Sequence, residues 1–186
     1  MTNELLLSVF IEDLAEVNKG NMCGRWYDLT KAEELTAAIK FINSVEEHII
    51  TDVDSEVFFI DEYDGIDELT EVADVYPEVS KAVKNYGIDA VKEVLSWVDL
   101  IDGASYINQL ERLFTVDYDV KGFEYAIGGY FFDNIVNSHG VDKDLIMYFD
   151  YESYGRDMLI TEDVTYLNEY DGKYIFIDES DRYNEY

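Results

Sequence analysis

Acidic residues alternate with apolar residues along the whole chain, and this pattern most constrains the fold. Between Lys40 and Lys81 there are 13 acidic residues and no basic one, yet residues able to form a core separate them. A disordered acidic tail would contain few aromatic residues, whereas 15% of this chain is aromatic and 48% is hydrophobic. The sequence therefore predicts a folded body with carboxylates over its surface.

The net charge limits the partners of this folded body. The 186 residues include 42 acidic and 13 basic ones, which gives a formal net charge of −29 at pH 7. Phosphate groups are repelled by such a charge, so we expect neither a nucleic acid nor a membrane surface as a partner. The charge also opposes the compact state, so its presence implies either a halophilic setting or a use for the electrostatic field.

The N-terminal residues and the single cysteine predict a cytoplasmic protein. Cys23 is the only cysteine, so an intramolecular disulfide is excluded. No positively charged segment precedes the apolar run that starts at Leu5, and that run ends by Glu12. It is too short for a signal anchor or a membrane span.

Apolar periodicity and turn residues predict an α+β fold. The predicted strands are 5–11, 22–29, 56–60, 115–119, 164–167 and 174–177, the last two joined by a hairpin turn at Asp171-Gly172. The predicted helices are 30–45, a helix that begins near Ile66, a second that begins at Pro77 and ends at Gly87, and others at 88–100, 123–136 and 144–157. We expect antiparallel sheets in an N-terminal lobe (1–64) and a C-terminal lobe (105–186), on either side of a helical middle lobe (65–104).

No arrangement of residues in the sequence indicates catalysis. His48, His139 and Cys23 lack the partners that a nucleophile or a metal site needs, and phosphate-binding, metalloprotease and hydrolase motifs are absent. A calcium-binding EF-hand loop needs Gly at its sixth position and Glu at its twelfth. Counting from Asp52 puts Val57 and Tyr63 there, and counting from Asp61 also misses both residues. We therefore predict no catalytic residue, no metal and no cofactor.

The distribution of carboxylates is the remaining candidate for function. Asp67, Glu71 and Asp74 recur at helical spacing and share one face. B-form DNA carries one charge per about 1.7 Å of axis, and a dimer of this chain would carry as many charges as the phosphates of roughly 29 base pairs. The candidate functional carboxylates are Glu46, Glu47, Asp52, Asp54, Glu56, Asp61, Glu62, Asp64, Asp67, Glu68, Glu71, Asp74, Glu78, Asp117 and Asp119.

The sequence contains two motifs, one near each end: Asn18-x-Gly20-x-x-x-Gly24-Arg25-Trp26-Tyr27-Asp28-Leu29 and Tyr148-Phe149-Asp150-Tyr151-Glu152-Ser153-Tyr154-Gly155-Arg156-Asp157. They resemble the signatures of the ArdA family of antirestriction proteins. The match is good over residues 10–30 and 145–178, and the helical middle matches mainly in acidity and helix pattern. Val17 replaces the usual Tyr, Met158 replaces the usual Leu, and residues 178–186 form an additional tail.

The resemblance implies a DNA mimic encoded by a mobile genetic element. Such a protein is an elongated, curved, three-lobed homodimer that occupies the DNA-binding groove of type I restriction–modification enzymes, in the methyltransferase core. The resemblance places the dimer contact in the C-terminal lobe, where the expected contact residues are Phe114, Val116, Tyr118, Phe123 and Tyr125. The signature residues to which we assign a structural role are Gly24, Arg25, Trp26, Tyr154, Gly155, Arg156 and Asp157.

Other functions are compatible with the same acidity. An immunity protein against a single basic nuclease would concentrate binding in a few carboxylates and aromatic anchors. A halophilic or calcium-buffering protein would need salt or calcium to fold. An enzyme would need carboxylates that meet only in the folded chain, and the sequence contains no motif for such a site.

Overall fold

The computed structural model describes residues 5–96, 103–136, 140, 142–161 and 164–179. The chain divides into two compact units, Met1–Leu110 and Glu111–Tyr186. Helices and two three-stranded antiparallel sheets confirm the predicted α+β class. The division into three lobes at 64 and 104 stays a prediction. Among the described residues, no helix is both long and apolar enough to cross a membrane.

The N-terminal unit contains one sheet with strand order β2-β1-β3, and both pairings are antiparallel. Leu7, Val9 and Ile11 of β1 point to one side of the sheet and are buried. The alternate residues of β1 point to the opposite side, which forms the outer face of the sheet. The elements are β1 Leu7–Asp13, α1 Leu14–Val17, β2 Gly24–Asp28, α2 Ala32–Ile42, β3 His48–Ser55, α3 Ile66–Tyr86, α4 Ile88–Leu95 and α5 Gly103–Glu111.

The prediction of a strand at 56–60 is wrong, because the third strand is β3, His48–Ser55. Ser55 ends this strand: its hydroxyl oxygen accepts hydrogen bonds from the backbone N–H groups of Val57 (3.3 Å) and Phe58 (2.9 Å). This turn removes the apolar run from the sheet. Phe58 nevertheless reaches the core and is buried.

The prediction of separate helices on either side of Pro77 is also wrong. The single helix α3 spans Ile66–Tyr86, with Pro77 inside it. Proline removes one helical hydrogen bond and costs about 3 kcal/mol, but Val72, Val75 and Val79 are buried on one face across the proline. Burial of one such side chain contributes about 1.5–3 kcal/mol, so continuous packing outweighs the local cost.

The first helical turn of α2 also differs from the sequence prediction. The helix predicted from residue 30 begins at Ala32, with Lys31 as its N-cap and no side-chain capping bond. Thr30 lies outside the helix, where its hydroxyl donates to the Asp28 carboxylate at 2.6 Å, at the end of β2.

The C-terminal unit contains a sheet with strand order β4-β6-β5. The predicted hairpin turn is confirmed, since Asp171 (φ 49°) and Gly172 (φ 74°) join β5 to β6 in the left-handed region. The predicted helix 144–157 is interrupted where the Asp150 carboxylate caps a new helix by accepting from Ser153 N–H at 3.0 Å. The elements are β4 Leu113–Asp117, α6 Phe123–Phe131, a π-helical turn Phe132–Val136, α7 Lys143–Ile146, α8 Tyr151–Ile160, β5 Val164–Tyr170 and β6 Lys173–Asp178.

Candidate functional site: an unpaired carboxylate surface

Most of the predicted functional carboxylates are exposed. Thirteen of them lie at positions 46–78 in the N-terminal unit, and Asp117 and Asp119 lie in the C-terminal unit. Asp64, Glu68 and Asp119 are partly buried. Asp117 is exposed in the C-terminal unit. The exposed members in the N-terminal unit, which we call the carboxylate surface, are Glu46, Glu47, Asp52, Asp54, Glu56, Asp61, Glu62, Asp67, Glu71, Asp74 and Glu78.

Almost none of this charge is neutralised locally. Residues 46–78 are described throughout, and of their 13 acidic side chains only Glu78 forms an ion pair with a described residue, Lys81, at 3.3 Å. In the C-terminal unit the Asp117 carboxylate lies 3.9 Å from the Lys173 ammonium. The negative potential of the N-terminal unit is therefore left for a partner or for solvent ions.

The helix α3 carries a regular row of these carboxylates. Asp67, Glu71, Asp74 and Glu78 are exposed, while Leu69, Val72, Val75, Val79 and Ala82 are buried, so the prediction that this helix has an acidic face is confirmed. At about 1.5 Å of rise per residue, the four carboxylates span about 16 Å. One strand of B-DNA places about five phosphates in that length.

The strand β3 carries a second row. Asp52 and Asp54 are both exposed and lie on the same side of the strand, about 7 Å apart at two residues' spacing. Their cross-strand partners on β1 are Phe10 and Ser8.

Some of the predicted carboxylates also stabilise the local backbone. Asp64 accepts the backbone N–H of Asp61 at 2.8 Å, and burial raises the pKa of the Asp64 carboxyl. Glu68 accepts the N–H of Gly65 at 2.9 Å and so caps the first turn of α3. Asp119 accepts the N–H of Lys121 at 2.8 Å. Neutralising these three residues would disturb turns as well as the charge distribution.

The residues considered for catalysis or metal binding do not form a site among the described residues. His48 contacts the backbone oxygen of Asp64 through Nε2 at 2.9 Å, and Cys23 is exposed. The described part of the chain holds no group of three or more His, Cys, Asp and Glu side chains placed to bind a metal ion. His139 lies outside the described residues.

The predicted dimer-contact residues surround the outer edge of the C-terminal sheet. The strand β4 is an edge strand, hydrogen-bonded to β6 on one side. Val116 is buried in its own unit, and Phe114 and Phe123 pack against the same core, whereas Tyr118 is 54% exposed. A cavity of about 450 Å³ lies along this edge, lined in part by Tyr118, Tyr125 and Lys173.

The N-terminal signature residues have three different environments. A side chain at Gly24 would overlap the side chain of Glu12 and the carbonyl oxygen of Ile11 on the neighbouring strand. Arg25 donates to the Glu34 carboxylate of α2 at 2.6 Å, and its guanidinium lies 4.5 Å from the centre of the Tyr27 ring. Trp26 is on the outer face of the sheet, with 44% of its surface exposed.

The C-terminal signature residues hold two helices together. Helices α6 and α8 pack so closely that a side chain at Gly155 would overlap the Glu124 carbonyl oxygen, and one at Gly128 would overlap that of Tyr151. Arg156 pairs with Glu152 at 2.8 Å and lies 4.0 Å from Glu124.

The remaining two C-terminal signature residues are less constrained. Tyr154 packs against the core of the unit and contacts the ring of Phe149 edge-on at 5.2 Å. Asp157 is exposed, and its backbone oxygen accepts the N–H of Thr161 at 2.9 Å.

Sequence reasoning missed two residues beside these motifs. Gly128 is the counterpart of Gly155 in the helix crossing, although its only signal in the sequence is a glycine inside an apolar helical pattern. Glu12 is buried on the outer face of the N-terminal sheet, where its carboxylate accepts from the Thr51 hydroxyl at 2.9 Å. A single glutamate in a strand gives no sequence signal for burial.

The comparison with protein families agrees with the two signatures and extends between them. No curated protein matches the chain. The family described as Antirestriction protein (ArdA) matches residues 9–171, which include both signatures, the acidic helix α3 and the edge strand β4. The chain therefore belongs to the ArdA family of antirestriction proteins.

Proposed function

We propose that this protein inhibits type I restriction–modification enzymes by mimicking B-form DNA and occupying the DNA-binding groove of their methyltransferase core. The observation that carries the proposal is the near absence of ion pairs among the acidic residues at positions 46–78. Family membership supports an antirestriction role, with a restriction enzyme as the partner. Incoming DNA meets these enzymes in the cytoplasm, where we place the inhibitor.

A rigid carboxylate array can replace the phosphates that such a groove binds. A groove for duplex DNA presents Lys and Arg side chains at phosphate spacing, and the rows on α3 and β3 offer acceptors at comparable intervals. Bending a DNA site costs about 1–6 kcal/mol, whereas a folded protein of the correct shape avoids that cost. The affinity of the inhibitor therefore comes from carboxylates that its own hydrophobic core holds in place.

We include a homodimer in the proposal. Among the described strands, β4 is hydrogen-bonded to β6 alone, and the cavity beside this edge is lined in part by Tyr118 and Tyr125. A second copy bound along this edge would add strand hydrogen bonds and aromatic contacts. The dimer would double the charge of −29 and so extend the mimic to about 29 base pairs. A mobile genetic element that encodes this dimer would protect its own DNA on entry.

The test is displacement of DNA from its enzyme. Purified protein is titrated into a type I methyltransferase core bound to labelled DNA, at low and at moderate salt. We expect stoichiometric displacement that weakens as salt rises, because each ion contact releases counterions.

Two controls make this result specific. The protein is shown to be folded at low salt by circular dichroism, and a DNA duplex of about 29 base pairs is titrated in parallel. A folded protein that displaces no DNA at low salt would contradict the proposal. Folding only at high salt or with calcium would instead indicate a protein whose acidity serves solvation.

A further inference from the structure

The outer face of the N-terminal sheet presents an ordered pattern of aromatic and acidic side chains. Residues paired across antiparallel strands lie side by side on the same face. Trp26, Phe10 and Asp52 form one row across the three strands, because Phe10 pairs with both of the others. Ser8 pairs in the same way with Asp28 and Asp54, which form the next row.

The tryptophan in this pattern is held in place but not covered. The Trp26 indole contacts the Phe10 ring edge-on, with ring centres 5.6 Å apart and an interplanar angle of 61°. It keeps 44% of its surface exposed. An ordered, half-exposed tryptophan among carboxylates is a ready contact for a cation, since the indole face attracts positive charge most strongly among aromatic side chains.

A buried carboxylate on this face, one row beyond Trp26 and Phe10, lacks a second partner. Glu12 is only 7% exposed, and its Oε2 accepts from the Thr51 hydroxyl at 2.9 Å. Its Oε1 is buried without a hydrogen-bond donor among the described residues. The neighbouring Arg25 points to the opposite face and binds Glu34. A buried carboxylate without a cation is costly, so a cation that arrives on the outer face relieves this cost.

No described lysine or arginine side chain forms an ion pair with the two aspartates of β3. Lys31 is engaged with the Asp28 carboxylate at 2.8 Å, at the far edge of the face. Asp52 and Asp54 are exposed and form no ion pair with a described residue. Strands about 4.8 Å apart place Asp52 about 10 Å from Trp26 at the backbone. The indole of Trp26 and a guanidinium stacked on it together bridge the distance from Trp26 to the Asp52 carboxylate.

We propose that this face is an anchor for an arginine side chain of the partner protein. The guanidinium stacks on the Trp26 indole and donates to Asp52 and Asp54, and Glu12 lies one row beyond the Trp26 row on the same face. Arginine fits better than lysine, because a planar guanidinium both stacks on an aromatic ring and binds carboxylates through two parallel hydrogen bonds. The anchor rests on the proposed function, in which the arginine belongs to the DNA-binding groove.

The anchor is tested first without any restriction enzyme. The chain has two tryptophans, so a Trp97→Phe background leaves Trp26 as the only indole reporter. Hexa-arginine and hexa-lysine, which carry equal charge, are titrated separately while tryptophan emission is recorded. We expect hexa-arginine to change the emission at a concentration at least about fivefold lower than hexa-lysine does. Asp52→Asn combined with Asp54→Asn, both at exposed positions, should remove this preference without unfolding the protein.

The DNA-displacement assay gives an independent test. We expect Trp26→Ala to weaken displacement at least tenfold, as for other aromatic anchors, with the salt dependence unchanged because no charge is lost. The matched control is Phe59→Ala, which removes an aromatic side chain that is 76% exposed beside the carboxylate surface. That control should change displacement less than about threefold. Circular dichroism and thermal melting show whether each variant is folded.

The outcomes separate the anchor from the proposed function. Equal responses to the two peptides, or no response of Trp26, overturn the anchor whatever the enzyme does. Displacement by Trp26→Ala equal to that by the unmodified protein overturns it as well. Failure of the unmodified protein to displace DNA contradicts the proposed function, while a preference of Trp26 for arginine would still support the anchor as a site for another basic protein.

Discussion

Neutralising two carboxylates in the middle of α3 should stabilise the protein and weaken its inhibition at the same time. Asp67, Glu71, Asp74 and Glu78 give three like-charge pairs at i, i+4 or i, i+3 spacing. Glu71→Gln with Asp74→Asn removes all three repulsions, yet keeps Asp67 at the favourable N-terminal end and the ion pair of Glu78 with Lys81. Each repulsion costs about 0.2–0.5 kcal/mol, so we expect a gain of about 0.6–1.5 kcal/mol in the free energy of unfolding.

The expected loss of binding follows from the same two charges. An exposed ion contact contributes about 0.2–1 kcal/mol, so two lost contacts weaken displacement of DNA by roughly 2-fold to 30-fold. Urea denaturation gives the stability, and the displacement assay gives the affinity. The control Glu93→Gln with Asp171→Asn removes two exposed charges outside the carboxylate surface.

The expected changes in stability and in inhibition have opposite signs. A variant that is more stable but inhibits less cannot have lost inhibition by unfolding. The stability gain should shrink as salt is added, because salt screens the repulsions. Unchanged inhibition in the α3 variant, or an equal loss in the control, would show that α3 is not part of the surface that the enzyme binds. A loss of stability would refute the reasoning about the three repulsions.

Three further predictions concern the C-terminal unit. Gly155→Ala should destabilise that unit by about 3 kcal/mol or more, because the new methyl group meets the backbone of α6, whereas Gly129→Ala, with open space around it, should not lower the melting temperature. The hydrogen bond that Tyr118 donates to the Glu169 carboxylate raises the pKa of Tyr118 to about 12. Its contribution to stability is complete below about pH 10, the pKa of an unperturbed tyrosine, and is lost as the pH rises from there through about 12. Glu169→Gln should return the pKa of Tyr118 toward 10, measured by near-ultraviolet absorbance or NMR titration. Tyr118→Glu with Tyr125→Glu should give a monomer in sedimentation velocity and a weaker inhibitor, and a stable dimer in this variant would contradict the proposed contact.

Local sequence signals predicted the elements whose formation depends on neighbouring residues. The hairpin at Asp171-Gly172 is confirmed, because only a few residue types adopt the left-handed backbone that a two-residue turn requires. The acidic face of α3 is also confirmed, because helical periodicity separates charged from apolar residues directly. The family signatures were readable for the same reason: they are contiguous.

The errors occurred where tertiary contacts decide. Pro77 favours a helix start locally, but burial on both sides of it keeps α3 continuous. The apolar run after Glu56 has strand composition, but the Ser55 hydroxyl turns the chain out of the sheet. The burial of Glu12 and the contact of Gly128 with α8 depend on residues distant in sequence. A single sequence does not contain those contacts, so neither feature was predictable.

The most direct test of DNA mimicry uses two type I methyltransferase cores that recognise unrelated DNA sequences. The protein is titrated into each core bound to its own labelled DNA, over a series of salt concentrations. A mimic of the backbone charge should displace both DNAs, with dissociation constants within about tenfold of each other and a similar salt dependence, because phosphate contacts carry no sequence information. Displacement from one core and none from the other, with a folded protein at low salt, would contradict mimicry and indicate an inhibitor dedicated to a single target.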